Sequence, residues 1–314
     1  MKFPDKGTLL DLIKGSIATL TLFLAYVTFP LVGMIPGLFV PFPAIYYAMK
    51  SGRNIGAAIV VLSALVMAIM GGATFALFFI LQGGVISLAL PAFLSTGRKG
   101  AKAIAYTVAV NLVAILLLAA VYGITQGVNP HAQALRVIHA SISQVASLYE
   151  QIGVKGDELQ TLQEGMQQAG ALIGRVYPAL LVISLAFIVA MNLVALTKFS
   201  ARVPGIPAAG DFKSFKNPDQ LVWILIAAGF AMLIKNPQAA TAALNVLIVV
   251  VSLYFIQGMA IIRYFFTRFT VPMFVRVLFY LLLAFQPYLA VVVAALGLFD
   301  IWGDFRSPKQ QENL

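Results

Sequence analysis

The sequence predicts an all-α integral membrane protein, a polytopic bundle of about nine transmembrane helices with an external amphipathic helical hairpin. Hydrophobic residues fill 61% of the 314 positions and charged residues 10%, whereas soluble domains average about 45–50% and about 25%. Several stretches run for about 20 residues without a charge, the length that crosses the hydrocarbon of a bilayer. Lipid is therefore expected to surround most of the chain.

The predicted spans are separated by short polar or basic loops. They are residues 12–29, 33–49, 55–70, 73–94, 103–124, 171–196, 221–234, 239–262 and 273–300. Prolines interrupt the second span, and Gly71 and Gly72 predict a tight turn between the third and the fourth. The last stretch is long enough for one tilted span, but Pro287 at its middle also permits a re-entrant hairpin. We favour the single span.

Basic residues indicate the orientation of these spans. Most of the 21 Lys and Arg residues lie in alternate loops, which the positive-inside rule assigns to the cytosol. The exceptions on the predicted outer side are Arg136, Lys155, Arg175 and Lys235. We therefore predict a cytosolic N-terminus in the cytoplasmic (inner) membrane of a bacterium. The net charge of +10 is explained by these loops, so no nucleic-acid partner is expected.

The chain divides into three predicted parts. Residues 1–125 form a five-span membrane half, residues 126–170 an extracytoplasmic helical hairpin, and residues 171–314 a second membrane half with basic cytosolic loops. Within the insert, Asn129 and Pro130 are typical of a helix start, residues 153–156 of a turn, and Asp157 with Gln160 of a capping box. The apolar stripes of the two helices can pack on each other, on the membrane surface or on a partner; we favour mutual packing.

Residues that carry enzyme chemistry are scarce. The predicted spans hold no Asp, Glu or His at mid-depth, and the chain has no cysteine and no phosphate-binding glycine loop. His131 and His139 lie eight positions apart without a matching acidic ligand. We therefore expect no catalytic residue, no metal site and no cofactor.

Uncharged amides within the spans are the candidate polar contacts. They are Gln82, Asn111, Asn192, Asn245, Gln257 and Gln286. Hydrogen bonds between helices, at about 0.6 kcal/mol each, are the favoured explanation for such amides. Gln257 beside Gly258, and Gln286 beside Pro287, are better candidates for lining a cavity. Asn111 shares a short sequence echo with Asn192, for which chance similarity in an alanine- and leucine-rich chain is the favoured explanation. Asn111 is counted among the predicted ligand-binding residues.

The second span contains Pro36, Pro41 and Pro43, so it cannot be a regular helix. Irregular backbone at membrane depth is tolerated only inside protein or along a cavity. The segment is therefore either the best predicted pointer to a binding site, as broken helices are in transporters, or a loop between two spans.

Residues 299–306 form the most distinctive segment of the chain. Asp300, Trp302, Asp304 and Arg306 combine an aromatic membrane anchor with two acids and a cation. A local ion pair that finishes the last helix is the favoured interpretation, and docking of a partner or ligand is the alternative.

Several of these segments resemble the YybS-like family of bacterial membrane proteins, a domain of unknown function. They are residues 41–43 followed by 50–53, residues 219–223, residues 254–260 with Arg263, and residues 299–306. Arg263 is for this reason counted among the predicted ligand-binding residues. More distantly, the proline-rich turn and the order of hairpins look like the S components of energy-coupling-factor transporters and the membrane proteins of the MreD type. The first resemblance implies small-molecule capture, and the second implies envelope scaffolding.

Two functions follow as predictions. The first is a non-catalytic, S-component-like protein that binds or transports a small molecule or lipid-like ligand, in a cavity lined by the broken second span, Gln257 and Gln286. The second is a structural or assembly factor of the envelope that scaffolds a partner membrane protein. In both cases the lipid bilayer is the surrounding partner.

Overall fold

Helices account for every regular element in the part of the chain that the computed structural model describes, residues 6–29, 32–98, 100–199 and 211–306. The predicted all-α class is confirmed. The helices are α1 (Lys6–Thr28), α2 (Met34–Leu38), α3 (Phe42–Ser51), α4 (Arg53–Phe79), α5 (Val85–Ser95), α6 (Gly100–Gln126), α7 (Pro130–Gln151), α8 (Asp157–Lys198), α9 (Leu221–Ala231), α10 (Pro237–Arg268), α11 (Met273–Phe285) and α12 (Pro287–Gly303). A π-helical turn, Ile80–Gly84, joins α4 to α5.

Five described helical stretches are long and apolar enough to cross a membrane: α1, the run from α4 through α5, α6, α8 and α10. The α11–α12 pair is bent by 109° at Gln286 and would add a sixth crossing if it forms one broken span. Apolar side chains on these helices are exposed, such as Ile69 at 85% and Ile124 at 82%, as a lipid-facing surface requires. The count of nine spans stays a prediction.

The run from α4 through α5 doubles back on itself. Gly72 has φ 76° and ψ −176°, a conformation that breaks the helix and that side chains rarely adopt. A Cβ on Gly84 would lie 3.3 Å from Cγ1 of Val60, although 24 residues separate the two positions. The halves are therefore antiparallel, each about 28–35 Å long at 1.5 Å per residue. The turn predicted at Gly71 and Gly72 is confirmed.

The chain packs as two compact units. The first comprises Met1–Arg136 with Ser184–Ala209, and the second comprises Val137–Ile183 with Gly210–Leu314. The core of the first unit is built around Phe23, whose ring lies edge-on to Phe75 and Phe79 at centroid distances of 5.4 Å. Burial of these rings against α4 holds α1 in place.

An ion pair closes one end of the first unit. Lys50 Nζ, at the end of α3, donates to Asp11 Oδ1, near the start of α1, at 2.9 Å. This hydrogen bond raises the pKa of Lys50. The contact brings the start of α1 to the end of α3, so these two helices are antiparallel.

The second unit is centred on close contact between α10 and α12. A Cβ on Gly258 would overlap the carbonyl oxygen of Val293, and a Cβ on Gly297 would overlap that of Tyr254. Only glycine at both positions lets the two backbones touch. This contact sets Gln257 on α10 directly beside Asp300 on α12.

The helical hairpin of the insert begins as predicted. Asn129 Oδ1 accepts hydrogen bonds from the backbone N–H of His131 at 2.9 Å and of Ala132 at 3.3 Å, which caps α7. No capping box is formed by Gln160, whose side chain donates to Glu164 instead.

The second helix of the insert does not end where the composition changes. α8 runs without interruption from Asp157 to Lys198, so the boundary predicted at residue 170 lies inside it. Polarity changes along this helix, but nothing near Gly170 stops it, because a single glycine costs a helix only about 1 kcal/mol. Gly170 is instead the point where Ile142 of α7 packs against α8.

Candidate functional site

Two irregular backbone segments lie in the first unit. One separates α2 from α3, where Pro41 is the N-cap of α3 and Pro43 occupies its first turn. The other is the π-helical turn Ile80–Gly84. The prediction that the second span is not a regular helix is confirmed. Pro41 and Pro43 are buried and Pro36, within α2, is half-buried.

These two segments pack against each other. A Cβ on Gly83 would lie 2.9 Å from Cγ1 of Val40, so glycine is needed for the approach. Ser87 Oγ lies 3.2 Å from the carbonyl oxygen of Pro41 and 2.8 Å from that of Gly83. The buried hydroxyl of Ser87 therefore lies within hydrogen-bond distance of one carbonyl in each segment. Such π-helical turns inside helices are rare and frequently mark functional sites.

Two buried asparagines from other helices attach to the same segments. Asn192 Nδ2 donates to the carbonyl oxygen of Leu38 at 2.8 Å, and Asn111 Nδ2 donates to that of Leu81 at 3.2 Å. Both residues are fully buried. The sequence echo that links Asn111 with Asn192 thus corresponds to equivalent roles, since each amide satisfies a carbonyl that the irregular backbone exposes.

Three amide oxygens around these segments have no hydrogen-bond partner among the described residues. Asn111 Oδ1, Asn192 Oδ1 and Gln82 Oε1 are buried and accept no hydrogen bond from the described part of the protein. Gln82 lies in the π-helical turn. The side chains of Asn111 and Asn192 donate hydrogen bonds to carbonyls of the two segments. We call these three amides, together with the segments 38–41 and 80–84, the acceptor site.

Hydroxyl groups on two neighbouring helices are also buried without a partner among the described residues: Ser16 and Thr19 of α1 and Ser63 of α4. A Cβ on Gly15 would press against Ile59, so α1 and α4 lie side by side at that level. Thr19 and Ser63 each follow this contact by one helical turn. Ser63 also follows Val60, which faces Gly84.

The acceptor site offers hydrogen-bond acceptors and no charge. The buried polar residues described in the first unit are Ser16, Thr19, Ser63, Ser87, Thr107, Asn111 and Asn192, all of which are uncharged. Amide oxygens accept only, whereas hydroxyls both donate and accept. The arrangement therefore offers acceptors to a molecule that donates hydrogen bonds.

A second polar cluster, around Asp300, lies in the second unit. Asp300 is fully buried, and its Oδ2 accepts from Gln257 Nε2 at 2.9 Å and from Arg306 Nη2 at 2.6 Å. Its Oδ1 accepts from the backbone N–H of Phe305 at 3.2 Å. The favoured interpretation of the terminal segment, a local ion pair at the end of the last helix, matches this geometry.

The same cluster fixes the loop that precedes α9. Arg306 Nη1 donates to the carbonyl oxygens of Lys213 at 2.9 Å and Phe215 at 2.7 Å. Asn217 donates its backbone N–H to Gln257 Oε1 at 2.9 Å and its side-chain amide to the carbonyl of Leu253 at 2.9 Å. Gln257 is thus bonded at both ends of its amide, which makes it a structural residue rather than one open to a ligand.

The remaining predicted residues lie apart from both clusters. Gln286 is exposed at the bend between α11 and α12. Arg263 lies over the ring of Phe212 at 6.0 Å, and it forms no ion pair with Asp300. Trp302 is exposed, as an interface anchor would be, and Asp304 adopts the left-handed conformation that ends α12.

Asn245 shows how an amide can be purely structural. Pro178 interrupts the hydrogen bonding of α8, and Asn245 of α10 fills the gap. Its Nδ2 donates to the carbonyl of Arg175 at 2.8 Å, and its Oδ1 accepts from the N–H of Ala179 at 2.8 Å. The Asn245 side chain thus takes the place of a backbone hydrogen bond between Arg175 and Ala179 beside Pro178.

Comparison with known proteins identifies the family. The family model described as Predicted membrane protein (DUF2232) matches residues 17–301, nearly the whole chain. The chain belongs to this family. No curated protein and no solved structure matches the chain.

Membership of the DUF2232 family confirms the predicted resemblance, while the more distant ones to S components and MreD-type proteins stay predictions. The range shared with the DUF2232 model includes both irregular segments, Asn111 and Asn192, and it extends to Asp300. Arg306, the partner of Asp300, lies beyond it.

Some polar residues of these clusters were not predicted. Ser16 and Thr19 lie three positions apart on one face of α1, a spacing that marks a common side. The hydroxyls at Ser63 and Ser87 have no comparable signal, since single serines are tolerated in apolar helices. For Asn217, nothing in the loop sequence indicates that it packs onto Gln257.

Proposed function

We propose that this membrane protein binds a small molecule that donates hydrogen bonds, at the acceptor site of the first unit. The observation that carries the proposal is that the buried amide oxygens of Gln82, Asn111 and Asn192 accept no hydrogen bond from the described residues. Gln82 lies in one of the two irregular segments, and the amides of Asn111 and Asn192 donate to carbonyls of these segments. Binding, rather than catalysis, suits a group of residues without an acid, a base or a nucleophile with a paired base.

A buried polar group without a hydrogen bond lowers the stability of a protein. Each such group costs about 1–3 kcal/mol. Bulk water cannot reach them within the hydrocarbon of a membrane. Three unpaired amide oxygens among the described residues would therefore cost about 3–9 kcal/mol, a large fraction of the whole stability of a protein. A bound molecule with several N–H or O–H groups would remove most of that penalty.

The chemistry of the acceptor site also narrows the class of ligand. Amide and hydroxyl oxygens without nearby cations repel an anion and favour a neutral or positively charged donor. Polyols, nucleosides, neutral vitamins and amines have the required N–H and O–H groups. Phosphorylated or carboxylate compounds of the same size are disfavoured at this site.

Thermal unfolding of the purified full chain tests this proposal. The probes are sugars, nucleosides, polyamines and vitamins, each beside a phosphorylated or carboxylated counterpart. A ligand at 100 times its dissociation constant stabilises by about 2.7 kcal/mol. We expect at least one donor compound to raise the midpoint and its anionic counterpart not to do so.

Two variants test whether the rise in the thermal midpoint comes from binding at the acceptor site. Asn192→Leu removes an unpaired acceptor and should abolish the stabilisation by the compound. Asn245→Leu removes an amide whose oxygen and nitrogen are both bonded, so it should lower the midpoint but keep the response. Equal responses of the two variants, or no response to any donor, would contradict the proposal.

A second candidate function is supported by the helical hairpin. Its helices leave an open groove of about 720 Å³ between the end of α7 and the start of α8, lined by residues that include Tyr149, Leu162 and Met166. Ile152 near the turn is 76% exposed. The lining is mostly apolar and also includes Asp157 and Glu158, and the predicted topology puts the groove outside the membrane. Such a surface suits attachment of a partner membrane protein, the scaffolding alternative.

Co-purification separates this second function from the first. A partner protein that remains bound through affinity purification should be lost in the Leu162→Glu variant, because a charge in the groove opposes apolar docking. Retention of the partner by that variant would contradict a role for the groove.

A further inference from the structure

A pocket of about 300 Å³ in the second unit is lined by Lys213, Arg263, Phe266, Thr267, Arg276 and Tyr280. Three of these six residues are cations. We propose that this pocket binds a phosphate group, either the headgroup of an anionic lipid or free inorganic phosphate. The site is separate from the acceptor site, which disfavours anions.

Two of the three cations have no carboxylate partner among the described residues. Neither Arg263 nor Arg276 forms an ion pair there, whereas Lys213 Nζ pairs with Asp211 Oδ2 at 3.7 Å. Three cations around so small a volume repel one another, and one paired carboxylate offsets only part of that repulsion, so a further anion between them is needed. One phosphate, with a charge of about −1 to −2, meets that requirement.

The side chain of Arg276 is held in place before any ligand arrives. Its Nε donates to the carbonyl of Val271 at 2.8 Å and its Nη2 donates to the carbonyl of Phe266 at 3.2 Å. A guanidinium has five N–H groups, so others remain for a ligand. An arginine fixed in this way loses little conformational entropy on binding, and its planar fork fits two phosphate oxygens.

The backbone of Lys213 is also fixed. Its carbonyl accepts from Arg306 Nη1 at 2.9 Å, and Arg306 is itself paired with the buried Asp300. The cluster around Asp300 thus positions a loop that supplies one wall of the pocket. This gives the distinctive terminal segment a role in shaping a binding site.

The surroundings of the pocket suit a group at the membrane surface. Phe266 and Tyr280 form an aromatic wall with a centroid distance of 6.1 Å. Met273 and Phe274, at the start of α11, are 79% and 75% exposed, as side chains facing acyl chains would be. The predicted topology puts this basic loop on the inner side, where anionic lipids attract cations.

Binding measurements on the full chain distinguish the two sources of phosphate. Thermal midpoints are measured in nanodiscs of phosphatidylcholine alone, in nanodiscs with added phosphatidylglycerol, and in phosphatidylcholine nanodiscs with inorganic phosphate at equal ionic strength. A rise only with phosphatidylglycerol identifies a lipid headgroup, and a rise with inorganic phosphate identifies the free ion. No rise in either arm overturns the proposal.

Matched variants test whether the pocket is responsible. Arg263→Gln and Lys213→Gln should each weaken binding about tenfold, the effect of one charge-assisted hydrogen bond. Neither side chain bonds to backbone as Arg276 does, so both variants should fold. Arg268→Gln is the control, because Arg268 carries the same charge on the same helix but does not line the pocket. Equal weakening in the control would show general attraction to charge and would overturn the proposal.

Discussion

Replacement of Gly258 by alanine should destabilise the second unit strongly. The added Cβ would overlap the carbonyl oxygen of Val293 and lie 2.9 Å from its Cγ1. Ordinary carbon contacts need about 3.5–4.0 Å. Because the main obstacle is backbone rather than a flexible side chain, α10 and α12 must move apart to accommodate one methyl group.

The magnitude follows from three contributions. Overpacking of a close contact costs about 1–3 kcal/mol, and alanine returns about 0.5–1 kcal/mol through its higher helix propensity. Separation of the helices also weakens the 2.9 Å hydrogen bond from Gln257 to Asp300, and a hydrogen bond to a charged group is worth about 1.5–3 kcal/mol. The expected net loss is about 2–4 kcal/mol.

Tryptophan fluorescence during denaturant titration measures this loss. The chain has two tryptophans, and both, Trp223 and Trp302, lie in the second unit. Gly229→Ala is the matched control, because a Cβ on Gly229 of α9 meets nothing within 4 Å. The control should be neutral or stabilising by up to about 1 kcal/mol. Equal stability of the two variants would refute the close-packing argument.

Three further substitutions separate structural polar groups from marginal ones. The first two lie in the second unit and are followed by the same titration, and the third lies in the first unit and is followed by far-ultraviolet circular dichroism. Asn245→Leu should cost about 2–4 kcal/mol, because it leaves two peptide groups at the kink of Pro178 unpaired; a loss below 1 kcal/mol would show that the kink closes by itself. Arg306→Gln should cost about 3–5 kcal/mol by leaving the Asp300 carboxylate buried without a cation, and adding Asp300→Asn should recover part of it; no recovery would contradict the pairing. Asp11→Asn should cost less than about 1 kcal/mol, since its ion pair with lysine is partly exposed; a larger loss would indicate a desolvated pair.

Features specified by local sequence could be predicted well. The break at Gly72, the interrupted second span and the cap at Asn129 each depend on a glycine, a proline or an asparagine whose backbone preference acts within a few residues. The ion pair between Asp300 and Arg306 is equally local, since six positions separate the two.

Features that depend on distant packing could not be predicted. Asn192 bonds to a carbonyl 154 positions away, and no pattern in either segment indicates that contact. Gln257 and Gln286 were predicted to line one cavity, because each lies next to a helix-perturbing residue. Gln257 is buried and hydrogen-bonded at both ends of its amide, whereas Gln286 is exposed. Glycine beside Gln257 brings helices together there, which closes space instead of opening it.

The continuity of α8 gives a further lesson. The change from polar to apolar composition near residue 170 predicted a boundary between domains, yet the helix continues through it. Composition reports what surrounds a helix, whereas breaks in the backbone require residues that disfavour helical dihedral angles. At Gly72 the backbone breaks between two apolar stretches, and at residue 170 the composition changes while the helix continues.

An experimental density map at a resolution that shows ordered water tests the central claim most directly. Our account predicts density larger than a single water within hydrogen-bond distance of Asn111 Oδ1 and Asn192 Oδ1, in protein purified with its native lipids. The density should disappear in Asn192→Leu. If protein donors or isolated waters satisfy both oxygens, the acceptor site is a structural core and the proposed binding function is wrong.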